Sequence, residues 1–215
     1  MEQDERAKRD KLIAQKQEWA RQGRLLTGHA GAGRLPPGQT LTNGWPVLDL
    51  GIHPIIDDKR FALTLDGAVA NPVKLDWAGF TGLPHEESIS DMHCVTAWSN
   101  YDNRWKGVSS RTLIELARPA PDARHVVFHS VDGYTTNVRL DQFADPDVYL
   151  VDRWNDAPIT REHGGPVRVL IPRLYLWKSA KWVTRIEFTV ADQPGFWEVR
   201  GYHNNADPWE EERYD

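Results

Sequence analysis

Short runs of alternating apolar and polar residues dominate the middle of this chain, and each reads as a strand with one buried face. FALTLDGAV (61–69) alternates and then turns, and ESISDMHCV (87–95) alternates up to Cys94. RHVVFHSV (124–131) and DGYTTNVRL (132–140) predict two strands separated by a turn at Asp132-Gly133. VYLVDRW (148–154) and the nearly continuous apolar VRVLIP (167–172) predict two more. WVTRIEFTV (182–190) is the last, with Val183, Ile186 and Phe188 as its core positions. Helical periodicity is rarer. SRTLIELA (110–117) has a buried face at Leu113, Ile114 and Leu116, and Ser109 is placed to cap it. LDWAGFTGLP (75–84) has room for one helical turn. VLDLGIHPII (47–56) is apolar but broken by Asp49, Gly51, His53 and Pro54.

The ends differ from the middle. Residues 2–24 are good helix formers with few apolar positions (Leu12, Ile13, Trp19), so they predict a polar helix. Residues 27–46 are rich in Gly and Pro and read as a linker. Their GHAGAG is not followed by Lys-Ser/Thr, so no phosphate loop is expected there. Three regions follow: a polar helix and linker over 1–44, a domain over 45–195, and an aromatic, acidic tail over 196–215 that is expected to pack on the domain. Short strands with varied connections and a few short helices make this an α+β domain built on mixed sheets.

Composition narrows the function classes. A net charge of −5 argues against a general nucleic-acid binder. No apolar run approaches the ~18 residues that a membrane span needs. The charged N-terminus lacks an apolar secretory core, and a single cysteine excludes an internal disulfide framework, so the cytoplasm is the expected compartment.

That cysteine, Cys94, ends a strand and opens a stretch rich in Trp, Asn, Asp and Arg, read as a polar loop. It is a buried hydrophobe, a nucleophile or a metal ligand. Arg104 and Lys106 are near it in sequence and are expected to favour a thiolate. A hydrolase would need a base: His93 points to the opposite face of the strand, leaving His125, His129 or His163 to be brought in by folding. Two further clusters carry chemistry. His163-Gly-Gly-Pro-Val-Arg168 turns into a strand, and Lys178-Ser179-Ala-Lys181 combines cations with a small-residue turn suited to an anion.

Taken together, HCVTAWSNYDNRWKGVSSRTLIELA, DVYLVDRWNDAPITREHGGPVRVLIP and WKSAKWVTRIEF resemble, in order and spacing, the molybdenum-cofactor domain of the sulfite oxidase family. The resemblance spans roughly residues 45–190. It implies the sheet-rich molybdopterin-binding fold of that family, Mo-molybdopterin as cofactor, and Cys94 as the protein's ligand to the metal. A thiolate suits a high-valent metal whose other sulfurs come from the pterin. The resemblance further implies that His163, Arg168, Ser179 and Lys181, together with Lys178, hold the pterin and its phosphate. Asp49 and His53 fall in the early loop that covers the cofactor, and Asp132 in a loop that approaches it.

Alignment of DVYLVDRWND with the family's strand puts Asp152 where sulfite oxidases carry a tyrosine beside the metal. A carboxylate there disfavours an anionic substrate such as sulfite. With the motifs ending near residue 190 of 215, the family's haem and immunoglobulin-like domains are not expected in this chain. The family's methionine sulfoxide reductases are exported, and no export signal is evident in this sequence. The expected activity is oxygen-atom or electron transfer on a small-molecule substrate, with an electron-transfer partner of unspecified identity. A cofactor-free binding module on the same fold and a cysteine hydrolase are the alternatives.

Overall fold

A computed structural model of the chain describes residues 2–21, 33–51 and 53–215. Residues 22–32, which include Gly28 and Gly31 of GHAGAG and the first six residues of the linker, lie outside the described residues, as do Met1, Ile52 and the side chain of Trp19. Helix α1 spans Glu2–Arg21. The chain then runs through β1 (Thr40–Leu41), β2 (Leu63–Gly67), β3 (Val73–Leu75), α2 (Trp77–Thr81), β4 (Glu86–Cys94) and β5 (Trp98–Ser109). Next come α3 (Ser110–Ala117), β6 (His125–Ser130), β7 (Thr135–Arg139) and α4 (Leu140–Phe143). The remaining strands are β8 (Tyr149–Trp154), β9 (Ala157–Pro158), β10 (Arg168–Leu170) and β11 (Val183–Thr189). The Ser109 hydroxyl accepts from the Arg111 N–H at 3.3 Å and caps α3, as the sequence predicts.

The strands form two sheets. The first runs β1-β5-β8-β10, with β4 also paired to β5 and β9 to β8. The second runs β3-β2-β11-β6-β7. Pairing is antiparallel except at β1/β5 and β2/β11. The main core lies between the sheets: Leu65, Phe128, Ile186 and Phe188 from the second meet Val108, Leu150 and Val169 from the first. Phe80, Leu113 and Phe143 from the short helices join them. Each such side chain contributes about 1.5–3 kcal/mol by leaving water.

Period-two alternation sends neighbouring residues the other way. Tyr149, Val151 and Leu170 belong to a second cluster with Met92, Trp98, Trp105 and Trp177. The C-terminal segment covers that face, contributing Trp197, Tyr202 and Ala206. Asn205 ties the segment down, accepting from Gln142 Nε2 at 2.7 Å.

One expectation is overturned. The stretch after Cys94 is the long strand β5, not a loop, and it pairs with β4 from Glu86↔Gly107 to Cys94↔Trp98. Its buried asparagines find partners on neighbouring segments. Asn103 donates to the carbonyls of Ser90 and Asn100 and accepts from Trp154 Nε1 at 2.8 Å.

Candidate active site

Cys94 sits at the tip of the β4–β5 hairpin. The turn closes with Ala97 N–H donating to Cys94 O at 3.0 Å. Gln39 Nε2 donates to the same carbonyl at 3.1 Å, and Thr40 N–H donates to Ala97 O at 3.0 Å, so β1 clamps the tip from the side. The sulfur lies 3.2 Å from the Thr96 hydroxyl, and the residue is 6% exposed.

The tip forms one wall of a cleft with a cavity volume of about 130 Å³. Asp49 and Trp45 border it on one side, and Asp132 and Tyr134 on another. Arg168, Ser179 and Lys181 complete the polar lining, and Trp98, Trp177, Trp197 and Tyr202 form its aromatic floor. The structure therefore brings Cys94, Asp49, Asp132, Arg168, Ser179 and Lys181 to one cavity from segments far apart in sequence.

The electrostatics favour an anion. Arg168 is 3% exposed, and its guanidinium donates to the carbonyls of His163 (2.7 Å), Ser179 (2.8 Å) and Val169 (3.3 Å). No carboxylate among the described residues pairs with it, and burial brings its pKa down to about 9. Lys181 Nζ donates to Glu162 O at 2.6 Å and lies 3.5 Å from Asp49 Oδ2. Burial opposes ionisation of Asp49, yet the Gly51 N–H, Lys181 and His53 hold it below the usual carboxylate range. Burial raises Asp132. The Ser179 hydroxyl accepts from Ile171 N–H at 2.9 Å, which leaves its own proton to donate.

His163 lies just behind the wall. Its ring stacks on Trp45 at 4.1 Å, and its buried Nδ1 has no hydrogen-bond partner. Burial, followed by Arg168 and Lys181, lowers its pKa to about 4, so it is neutral at pH 7. His53 hangs on Asp49 at 2.6 Å and does not line the cleft.

Two residues expected at the site are elsewhere. Lys178 is fully buried on the far side of its turn, with Nζ 2.7 Å from Glu198 Oε1 and 2.8 Å from Asn137 O. Asp152 follows Val151, whose side chain fills the second cluster, so its carboxyl faces the other way. There its Oδ2 lies 3.8 Å from His85 Nε2, and burial raises its pKa. Arg104 and Lys106 are also remote, because the strand carries them up the hairpin to rows opposite Ile89 and Glu87. Arg104 pairs with Asp156. The cations of the cleft are Arg168 and Lys181 instead.

Sequence reading missed Trp45, Thr96, Tyr134 and the tail aromatics Trp197 and Tyr202. The only available signal was the recurrence of Trp and Tyr in segments without strand or helix periodicity.

The hydrolase alternative finds little support. His93 bonds the Ser99 hydroxyl at 2.8 Å, and His129 bonds Glu187 at 2.8 Å on the second sheet. Among the described residues, no group of three or more His, Cys, Asp or Glu is placed to hold a metal ion. A metal at Cys94 would draw its other ligands from a cofactor.

Comparison with known proteins decides the family. The profile of the oxidoreductase molybdopterin binding domain matches residues 50–197, which span the cleft from Leu50 to Trp197. The chain belongs to this family. It is an oxidoreductase of the molybdopterin type, and its sheet-rich fold is the one the motifs imply. It is 42% identical over 184 residues to the uncharacterized oxidoreductase YuiH of Bacillus subtilis strain 168, covering 85% of this chain and 93% of that protein. It is 29% identical over 179 residues to the protein-methionine-sulfoxide reductase catalytic subunit MsrP of Gluconobacter oxydans, covering 73% of this chain. It spans only 56% of that reductase's length. Among solved structures, the sulfane dehydrogenase SoxCD of Paracoccus pantotrophus matches in fold with a TM-score of 0.62 and 16% identity. That match covers 73% of this chain and 46% of the other. Among the described residues, this oxidoreductase has no helix long and apolar enough to cross a membrane.

Proposed function

We propose that this oxidoreductase holds Mo-molybdopterin in the cleft, with the Cys94 thiolate as the protein's ligand to molybdenum, and transfers oxygen atoms or electrons to or from a small-molecule substrate. One observation carries the reading. The buried Arg168 guanidinium has no carboxylate partner among the described residues, and it stands with Lys181 on the same cavity as the only cysteine. A buried, unbalanced cation is costly, and a phosphate ester supplies the missing charge.

The bound cofactor supplies the metal and two sulfurs for two-electron chemistry. The chain's own residues do the rest. Arg168, Lys181 and the Ser179 hydroxyl hold the phosphate, and the neutral His163 backs the wall beside the pterin through its stack on Trp45. The Thr96 hydroxyl orients the Cys94 sulfur, and Asp49 keeps Lys181 in place. The aromatic floor excludes water. The relative named for methionine sulfoxide chemistry supports a sulfur-centred substrate. Reoxidation or reduction of the centre falls to a separate electron-transfer partner.

Metal and pterin analysis tests this directly. Protein made in a host that synthesises the pterin should carry about one molybdenum per chain and release a fluorescent oxidised pterin on denaturation in air. Cys94→Ser should keep the pterin but change the charge-transfer absorption, because a hydroxyl is a far harder and less acidic ligand. Folded protein with neither molybdenum nor pterin would favour the cofactor-free binding module.

A further inference from the structure

Behind the turn that carries Ser179 and Lys181, three side chains converge on one atom. Glu198 Oε1 accepts from Lys178 Nζ at 2.7 Å, Trp177 Nε1 at 3.0 Å and the Thr136 hydroxyl at 2.8 Å. Lys178 and Glu198 side chains are 0% and 1% exposed. The second carboxylate oxygen is buried and accepts nothing, so Trp177 Nε1 and the Thr136 hydroxyl depend on the first, while Lys178 Nζ also donates to Asn137 O at 2.8 Å. The carbonyl of Trp177 is fixed too, accepting from Tyr134 OH at 2.5 Å. Residues 177 and 178 thus have no freedom, and the backbone that follows presents Ser179 and Lys181 to the cleft. Glu198 lies one residue beyond the stretch that matches the family profile, on the segment that also lends Trp197 and Tyr202 to the cavity.

We propose that Glu198 is a positioning residue of the cofactor site. It gathers Trp177, Lys178 and Thr136 on one oxygen and so sets the turn from which Ser179 and Lys181 reach the cofactor. The C-terminal segment is then a working part of the site. This role rests on the reading of the cleft as the pterin site.

A bare loss of stability must be separated from a loss of positioning. Lys178→Met combined with Glu198→Leu removes both buried charges at once, a swap that is often neutral or stabilising. It also takes away the shared acceptor of Trp177 and Thr136. Glu198→Gln keeps an acceptor oxygen but leaves Lys178 buried without its counter-charge. Holoprotein of each is followed for pterin release by fluorescence, and the cofactor-free form for its melting midpoint.

The expected result is a double variant that melts below wild type, because Trp177 and Thr136 lose their acceptor, yet above Glu198→Gln, and that still releases pterin about tenfold faster than wild type when each is held equally far below its own midpoint, the worth of one charge-assisted contact. Glu198→Gln should release it at least as fast. If the double variant does not fold, Glu198→Gln measured well below its own midpoint makes the same comparison. Release at the wild-type rate from either variant overturns the positioning role alone. Release that tracks melting, with the double variant restored in both, also overturns it, because Glu198 would then be a structural pair and nothing more. Wild-type protein without pterin, made in a competent host, overturns the cofactor reading and this role with it.

Discussion

Arg168→Met tests the logic of the cleft, because the substitution should act in opposite directions with and without the cofactor. In the empty protein the guanidinium is buried among backbone carbonyls with no described carboxylate. The fall of its pKa from 12.5 to about 9 corresponds to roughly 5 kcal/mol of penalty on the charged form. Methionine removes that penalty and fills similar volume. It also strips the carbonyls of His163, Ser179 and Val169 of a donor, at about 1–1.5 kcal/mol each. The opposing contributions nearly cancel, so the cofactor-free variant should unfold within about 2 kcal/mol of wild type by urea titration. The loaded protein should respond differently. Loss of one charge-assisted contact to a phosphate costs about 1.5–3 kcal/mol, or roughly ten- to a hundredfold faster pterin release. A cofactor-free variant destabilised by more than ~4 kcal/mol would show that Arg168 is a net structural stabiliser. An unchanged release rate would place the bound anion elsewhere. Either result refutes the argument that the site stores an unbalanced charge for its ligand.

Two more outcomes follow from the structure. Gly164 has φ +103°, and a Cβ there would lie 2.9 Å from Lys181 Cβ and Cγ, so Gly164→Ala should cost about 2–4 kcal/mol in denaturant titration and weaken pterin retention by displacing Lys181. Wild-type stability for that variant would show that the loop relaxes freely. Burial lowers both His93 and His163 to about 4, from an ordinary 6.5. The unfolded chain therefore takes up protons that the folded one refuses. Stability should be full above about pH 6.5 and fall progressively as the pH drops to about 4. Urea midpoints across that window, with His93→Gln showing a shallower fall, check the assignment, and a flat profile would contradict it.

Strand positions were legible wherever one face is apolar. Val126 and Phe128, or Ile186 and Phe188, announce their sheet by spacing alone. The strand β5 was hidden because Ser99, Asn100 and Asn103 occupy buried positions as polar residues. Asn103 is tolerated there only through partners on β4 and β8, which no local pattern reveals. The site was partly legible for a similar reason. Arg168, Ser179 and Lys181 stand in motifs whose backbone fixes their direction. Lys178 and Lys181 look equivalent in sequence, and what separates them is Glu198, an acid twenty residues onward. Asp152 was read by alignment with another strand's tyrosine, yet strand alternation, set by Val151 on the opposite face, decides where it points.

The walls of the cleft come from residues 45–50, 94–98, 130–134, 168, 176–182 and 197–202, so almost the whole length of the chain contributes. A nascent chain still held at residue 180 on the ribosome has the thiol but neither Trp197 nor Tyr202. It also lacks β11, the strand that pairs on one side with β2 and on the other with β6. Until that strand emerges, β2 and β6 each keep an open edge, and open edges invite pairing with other chains. A fixed order of maturation is the expected consequence. The polypeptide is completed, the second sheet closes around its central strand, and only then does a receptive cavity exist. Whatever delivers a ligand to this protein meets a finished domain, and overproduction that outpaces delivery should accumulate folded, empty molecules.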